Sequence, residues 1–477
     1  MKLHNTLTGR VEKLHTLQDG VVKLYTCGLT VYSQPHIGNW LGYIYWDVLV
    51  KVLEAEGYAV ERTQNITDVG HLTSDDDSGE DKMEKGAKSE GLTAWNVAEK
   101  YTSIANHEAY ELLKLRHPNH LIRATELINE QIRFSQALEL KGLTYIIEGE
   151  GLYFDTSKLK DYGKLAKLDV QGLEAGKRVA VNGKRLVTDF AIWKFSPKDS
   201  KRDMEWESPW GVGFPGWHLE CSVIARQTLG DQIDIHTGGI DHIPVHHTNE
   251  IAQTEGLTGK QFAHTWLHNN HIKIDGKKIS KSIGNIVTLQ DIIDRGFNMD
   301  AFKLLALSKH YRTEGNFDRT ILEAAQNRLH HWLEVATLRH QTHETGTDTE
   351  VQPFQAAVGS IHEALRNDLD TPGALAIIDR TFKKIESLPL AKIDRHSLIQ
   401  ILETIRDVLG IDLLSTTPDI DDEAKRIVLE RRRARENKDW SLSDALRDQL
   451  EAKNILLNDG AHDTTWRHRH TRQSQRD

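Results

Sequence analysis

Val21-Val22-Lys23-Leu24-Tyr25, then Pro35-His36-Ile37-Gly38-Asn39, then an apolar run from Leu41 to Leu53: these stretches follow one another near the start of the chain. They read as a strand over Val22 to Thr26, a turn, and a helix over Trp40 to Glu56, with Ala59 to Asn65 as a second strand. Strand–helix–strand in so short a span is a βαβ unit, and βαβ units build parallel sheets. Such sheets bind ligands beyond their C-terminal strand ends, which is where Cys27, Gly28 and His36 fall. His36, Gly38 and Asn39 open the helix. There, backbone N–H groups and the helix dipole favour phosphate. Taken alone, a His-x-Gly after a strand is an ordinary turn.

A second string changes that reading. Lys278-Ile279-Ser280-Lys281-Ser282 sets two lysines three apart beside two serines, between Gly276 and Gly284. Alone it is a solvated loop; paired with the first string, it suits a triphosphate and points to ATP activation of a carboxylic acid. At this point the chain resembles the class I aminoacyl-tRNA synthetases, whose two signatures are His-Ile-Gly-His and Lys-Met-Ser-Lys-Ser. Asn39 stands where that pattern has its second histidine, and Ile279 where it has methionine. Asn donates an N–H but is never cationic, so activity is expected at an altered rate. The isoleucine keeps bulk and apolarity.

At 477 residues the chain exceeds the ~250–300 at which one core splits, so two to four domains are expected. Hydrophobic and charged contents of 38 % and 27 % fit a globular protein. No apolar run reaches the ~20 residues of a membrane span, so no membrane association is expected. Met1 to Asn5 carries no apolar signal core. Two cysteines, Cys27 and Cys221, exclude a disulfide scaffold and point to a cytoplasmic location. A net charge of −10 argues against wholesale nucleic-acid coating but not against a local basic face. Ala424 to Lys438 is one such stretch, with Lys425, Arg426, Arg431, Arg432, Arg433, Arg435 and Lys438 against Glu430 and Glu436. Charge alone favours the plainer reading, an exposed helix face with intrahelical pairs.

The expected architecture is an α/β Rossmann-like catalytic domain with a parallel sheet and an insertion, followed by mostly α-helical C-terminal domains. Residues 1–92 and 206–290 form the catalytic domain, and 93–205 the connective insertion. Residues 291–336 form a helical region that contacts the tRNA stem, 354–414 a helical bundle and 423–467 the anticodon-binding region. Residues 468–477 form a disordered tail. Ser74 to Glu90 reads as a surface loop, Thr93 to Lys141 as helical, and His246 to Thr254 as a helix stopped by Gly256.

Neither cysteine has a partner two or three residues away, so zinc-finger spacing is absent, and buried inert thiols are one reading. His246 and Glu250, four apart on one helical face, offer another. With two thiolates they complete a tetrahedral set suited to zinc, although an ordinary i,i+4 pair fits too.

Longer stretches resemble the cysteinyl-tRNA synthetases within class I. They are Tyr25 to Tyr32, Asn65 to Val69, Pro215 to Ser222, Asp234 to Asp241, His246 to Gln253, and the Lys278 loop, joined by Lys438-Asp439-Trp440 and Thr464 to Arg467. The resemblance implies one Zn²⁺ held by Cys27, Cys221, His246 and Glu250, binding the substrate thiol directly. It implies phosphate contacts from His36 and Asn39, and charge neutralisation by Lys278 and Lys281. Gly28, Thr30 and Gly38 are expected at the adenylate; Gly238, Gly239 and Asp241 cradle adenosine. Thr67, Trp217 and His236 wall the cysteine pocket. The implied partners are L-cysteine, tRNA(Cys), and ATP with Mg²⁺; a monomer is expected. Arg431 to Arg435, Trp440 and Trp466 are expected to contact phosphates and stack bases. Two rivals share parts of this pattern: a cysteine–amino-sugar ligase with the same adenylate chemistry, and an inactive RNA-binding relative.

Overall fold

The computed structural model describes the chain except residues 71, 73–80, 169–182, 198–200, 280–282, 342–347, 461–462 and 470–477. Five strands form the central sheet: β1 (Val21–Thr26), β2 (Ala59–Ile66), β3 (His120–Arg123), β4 (Ile233–Gly239) and β5 (Ala263–Asn269). All pair in parallel, in the order β5-β4-β1-β2-β3. Val22, Leu24, Tyr25, Ile233 and Ile235 are wholly buried, as expected where helices cover both faces of a parallel sheet. Strand order reverses between β1 and β4, and that crevice is where an open α/β sheet takes its ligand.

Helix α1 (Ile37–Ala55) buries Trp40 to Val50 continuously, with Val52 and Leu53. A helix apolar on every side must be enclosed. One side meets the sheet, the other the helices Met299–Leu307 and Arg395–Leu409. One hydrophobic core therefore runs from β1 through α1 into the C-terminal helices. That half continues with α4 (Arg319–Thr337) and the helices Asp348–Arg366 and Thr371–Glu386. It ends with α5 (Asp422–Glu436), α6 (Trp440–Ala452) and an antiparallel pair, Ile455–Asp459 with Thr464–His468. The two helices that frame the site are α2 (Trp217–Leu229) and α3 (His246–Thr258). Among the described residues no helix is long and apolar enough to cross a membrane.

Four expectations need correction. The insertion cannot begin at residue 93, because His120–Arg123 pairs with β2 as the sheet's edge strand; four half-buried residues leave almost no periodicity to detect. Nor does it end at 205, since its four-stranded sheet closes with Gly213–Pro215. Lys82–Glu90 is a helix rather than a loop. Asp81 caps it by accepting from Met83 and Glu84, and Gly91 ends it at φ +67°; only Met83 and Ala87 are buried, too few to stand out. Gly256 lies inside α3, which ends at Gly259 with φ +71°. A Cβ at Gly256 would lie 3.0 Å from Leu143 Cδ1, so that glycine serves close packing. His468 belongs to the last strand, and the rest of the expected tail, apart from Arg469, lies outside the described residues.

Candidate active site

Three elements converge at the β1/β4 crevice. Cys27 follows β1, and its backbone N–H donates to Thr237 of β4 at 3.1 Å. Cys221 lies on α2, whose start is fixed by Gly216. A Cβ there would sit 2.1 Å from the Ala191 carbonyl oxygen, so backbone and backbone approach as only glycine allows. His246 and Glu250 share one face of α3. One ligand atom from each of the four residues lies within 4.8 Å of the others, and all four are buried. His246 Nε2 is 3.1 Å from Glu250 Oε1, and Cys27 Sγ is 4.0 Å from that oxygen. A tetrahedral zinc with bonds of about 2.0–2.3 Å has ligand–ligand edges of about 3.3–3.8 Å. Two sulfurs, an imidazole and a carboxylate at these separations fit such an ion.

Electrostatics point the same way. Burial pushes the Cys27 thiol well above its ordinary value, helped by the hydrogen bond to Cys221. Burial also pushes the Glu250 carboxyl up. By themselves these groups favour their neutral forms; a cation among them reverses that preference.

Aromatic and imidazole rings enclose the cluster. Trp217 stacks on His246 with centroids 4.2 Å apart, and Trp266 stacks on His236 at 4.4 Å. His236 Nε2 is 2.9 Å from Glu250 Oε2, so the carboxylate meets His246 with one oxygen and His236 with the other. Desolvation lowers His236 and His218 to about 3 and His242 to about 4, leaving neutral rings. His247 was not anticipated, yet its Nε2 is 3.3 Å from Cys27 Sγ and its Nδ1 is 2.8 Å from His268 Nε2. Cys27, His236, His247 and Glu250 also cluster within 4.8 Å. His218, 3.1 Å from His246 through the Nδ1 atoms, was missed too. The sequence does carry a signal for both: the His246-His247 doublet, and His218 one helical turn before Cys221.

The expected adenylate residues lie close by. Gly28 N–H donates to Asn65 Oδ1 at 2.7 Å, and Asn65 Nδ2 donates to Thr67 Oγ1 at 3.0 Å. A Cβ at Gly28 would lie 1.6 Å from the Asn65 carbonyl oxygen, so no other residue fits. Thr30 bridges to Thr67 in parallel fashion. Gly238 packs under His247 and His242, 2.6 and 2.8 Å from where its Cβ would be, whereas Gly239 faces open space. Asp241 is exposed, its Oδ1 3.0 Å from His271 Nε2. Each shifts the other: His271 lowers the Asp241 carboxyl, and Asp241 raises the His271 imidazole.

At the start of α1, His36 Nδ1 accepts from Gly38 N–H at 3.1 Å, and Asn39 Oδ1 accepts from His36 N–H at 3.0 Å. This is a capping box, so the carbonyl oxygen of Asn39 is engaged locally while its amide N–H₂ remains the phosphate-facing candidate. A Cβ at Gly38 would lie 2.8 Å from Ile279 Cδ1. The two signatures therefore touch. Lys278 ends the antiparallel pair Ile272–Ile274 and Lys277–Lys278; Lys281 lies outside the described residues.

In the C-terminal module Arg431 is buried and donates to both Asp459 oxygens, at 2.9 and 2.8 Å. Trp466 is also buried, its backbone N–H donating to Gln341 Oε1 at 2.8 Å. Neither is available to RNA, contrary to expectation, because both hold the module together. Trp440 is 57 % exposed, with the Arg435 guanidinium 6.0 Å from its ring centroid.

This fold and the paired signatures define a class I aminoacyl-tRNA synthetase. The family model for the tRNA synthetases class I (C) catalytic domain matches residues 13–327, and that for the cysteinyl-tRNA ligase anticodon binding domain matches 417–467. A cysteine–tRNA ligase 1 from Burkholderia lata is 43 % identical, covering 96 % of this chain and 95 % of its own. A cysteine–tRNA ligase from Treponema denticola is 38 % identical, covering 98 % and 99 %. Among solved structures, Mycobacterium tuberculosis methionyl-tRNA synthetase with methionyl-adenylate superposes with TM-score 0.59 at 14 % identity, over 82 % of this chain and 92 % of that one. An Agrobacterium radiobacter leucyl-tRNA synthetase complex gives 0.61 at 11 %, over 84 % and 86 %. These two likenesses concern the fold alone. The chain belongs to the cysteinyl-tRNA ligase family, enzymes that join cysteine to tRNA with the use of ATP.

Proposed function

We propose that ligation runs through a cysteinyl adenylate formed in the β1/β4 crevice, with the substrate thiol selected by zinc. The observation that carries this is the buried set Cys27, Cys221, His246 and Glu250, within ligand distance of one another at the C-terminal strand ends. Bound there, zinc supplies affinity for a thiolate that a serine hydroxyl, harder and far less acidic, does not match. Size alone discriminates such close analogues by only about 1–3 kcal/mol.

Trp217, Thr67 and His236 wall the pocket and orient the cysteine. Its carboxylate attacks the α-phosphorus of ATP; the bond to the β-phosphate bridging oxygen breaks and pyrophosphate leaves. Gly28 and Thr30 line the adenylate, and Gly238, Gly239 and Asp241 hold the adenosine. His36, Asn39 and the Gly38 turn hold phosphate oxygens at the start of α1. Lys278 and Lys281 neutralise the departing charge, with Mg²⁺ as counter-ion. A terminal ribose hydroxyl of tRNA(Cys) then attacks the acyl carbon and AMP leaves. Catalysis is positioning and charge stabilisation, without a covalent enzyme intermediate. Residues 291–336 contact the tRNA stem, 354–414 form a helical bundle, 423–467 reads the anticodon, and the chain acts as a monomer in the cytoplasm.

The test is charging of tRNA with labelled cysteine against excess serine, before and after zinc removal. Serine-insensitive charging that is lost on chelation and restored by zinc is expected. A zinc-free protein that still charges cysteine selectively would overturn the reading.

A further inference from the structure

The turn that carries His36 is held from behind by a carboxylate the reaction does not use. Glu108 is 4 % exposed and lies on a π-helical turn, His107–Leu112, that follows the helix Ala94–Asn106. Trp40 Nε1–H donates to Glu108 Oε2 at 2.6 Å. Gln34 Nε2–H donates to Glu108 Oε1 at 3.5 Å. These two donors flank Pro35-His36-Ile37-Gly38-Asn39, one on each side. With His36 as the N-cap of α1, Trp40 is the fourth helical residue and Gln34 lies two before the cap. A contact between the residue preceding the cap and the fourth residue fixes the angle at which a chain enters a helix. Glu108 makes a polar version of that staple, one oxygen to each arm. The π turn aims it: Leu113 N–H donates to Glu108 C=O at 2.9 Å, five residues back. Such turns rotate the following residues relative to a regular helix and recur at functional sites.

We infer that Glu108 is a positioning residue for ATP, acting through Gln34 and Trp40 to set the geometry of the His36 turn. Its buried place behind the turn excludes direct contact with substrate. Burial holds its carboxyl above the ordinary value, and the Trp40 and Gln34 hydrogen bonds oppose that rise in part. The inference rests on the proposed phosphate role of the turn.

The experiment is cysteine-dependent ATP–pyrophosphate exchange by the full chain, with zinc content measured in parallel. Displacing the turn by a fraction of an ångström predicts that Glu108→Ala lowers kcat/KM for ATP by about 10- to 100-fold, leaving KM for cysteine within about twofold and zinc unchanged. Glu108→Gln keeps an acceptor for Trp40 and restores kcat/KM to within about threefold of wild type. Trp40→Phe removes the same bond while keeping most of the ring. It should reproduce the loss, and the Glu108→Ala/Trp40→Phe double variant should fall no further than the worse single. Trp40→Phe carries the test if Glu108→Ala does not fold. Unaltered ATP kinetics, or equal losses toward ATP and cysteine, overturn the inference. His36→Ala is measured alongside. If it abolishes exchange while the Glu108 variants do not alter it, only this inference falls. If it leaves exchange intact, the phosphate role of the turn falls instead.

Discussion

Glu250→Gln tests the cluster with little change in volume. The carboxylate sits 3.1 Å from His246 through Oε1 and 2.9 Å from His236 through Oε2. Two thiolates and a carboxylate outweigh a divalent ion by one negative charge; the amide removes that charge and replaces an anionic oxygen donor by a neutral one. Outer-shell partners of metal sites are each worth about 10- to 100-fold in affinity, so a direct ligand should cost about 100-fold or more. That is about 2.7 kcal/mol of binding, and the same amount of zinc-linked stability at fixed free zinc. With an unfolding entropy near 2.1 cal/mol/K per residue over the ~300 residues of the catalytic domain, the melting point drops by about 4 °C. The assay is zinc per chain after dialysis against chelators of graded affinity, with melting curves in zinc-buffered solution. Glu255→Gln, on the same helix but paired with Lys164 away from the cluster, is the control. A Glu250→Gln protein that keeps zinc with wild-type affinity and melting behaviour would refute the assignment.

Three further outcomes follow from the same geometry. Burial holds the Cys27 thiol above its ordinary value, so binding zinc as thiolate releases protons. Apparent zinc affinity should rise with pH from 6 to 8, and a flat competition curve would contradict thiolate ligation. Asp459→Asn leaves the buried Arg431 without its counter-charge, which costs about 3–5 kcal/mol. Hydrogen exchange should quicken across 422–468, and tRNA charging should fall while cysteine-dependent exchange persists. Arg431 first among its partners depresses the Asp459 carboxyl, so its stabilisation is present above about pH 3.9 and fades as pH drops toward the lower folded value. Lys278→Ala should cut the exchange rate by about 10²–10³-fold with zinc content unchanged; a loss of zinc instead would reassign the lysine to structure.

The residues that sequence reasoning placed well are those with local signals. β1, α1 and β2 follow from apolar runs close together in the sequence, with Pro35 in the turn that leads into α1. Errors fell where local signals are weak. β3 is four residues long and earned its place in the sheet only by pairing with β2. Gly256 looked like a stop because glycine disfavours helices, yet packing against Leu143 decides its position.

Sequence alone determined the βαβ unit, the two signature strings and, through resemblance, a candidate set of four ligands, because strand and helix periodicity and turn chemistry act over only a few residues. Tertiary structure decided which of these residues meet. It set His236 against the second oxygen of Glu250 and His247 against Cys27, and it laid Ile279 over Gly38. It also withdrew Arg431 and Trp466 from the surface. Those juxtapositions depend on sheet register and on helices packed from distant parts of the chain. No local pattern encodes them, because each arises only when separate elements bury their apolar faces against one another.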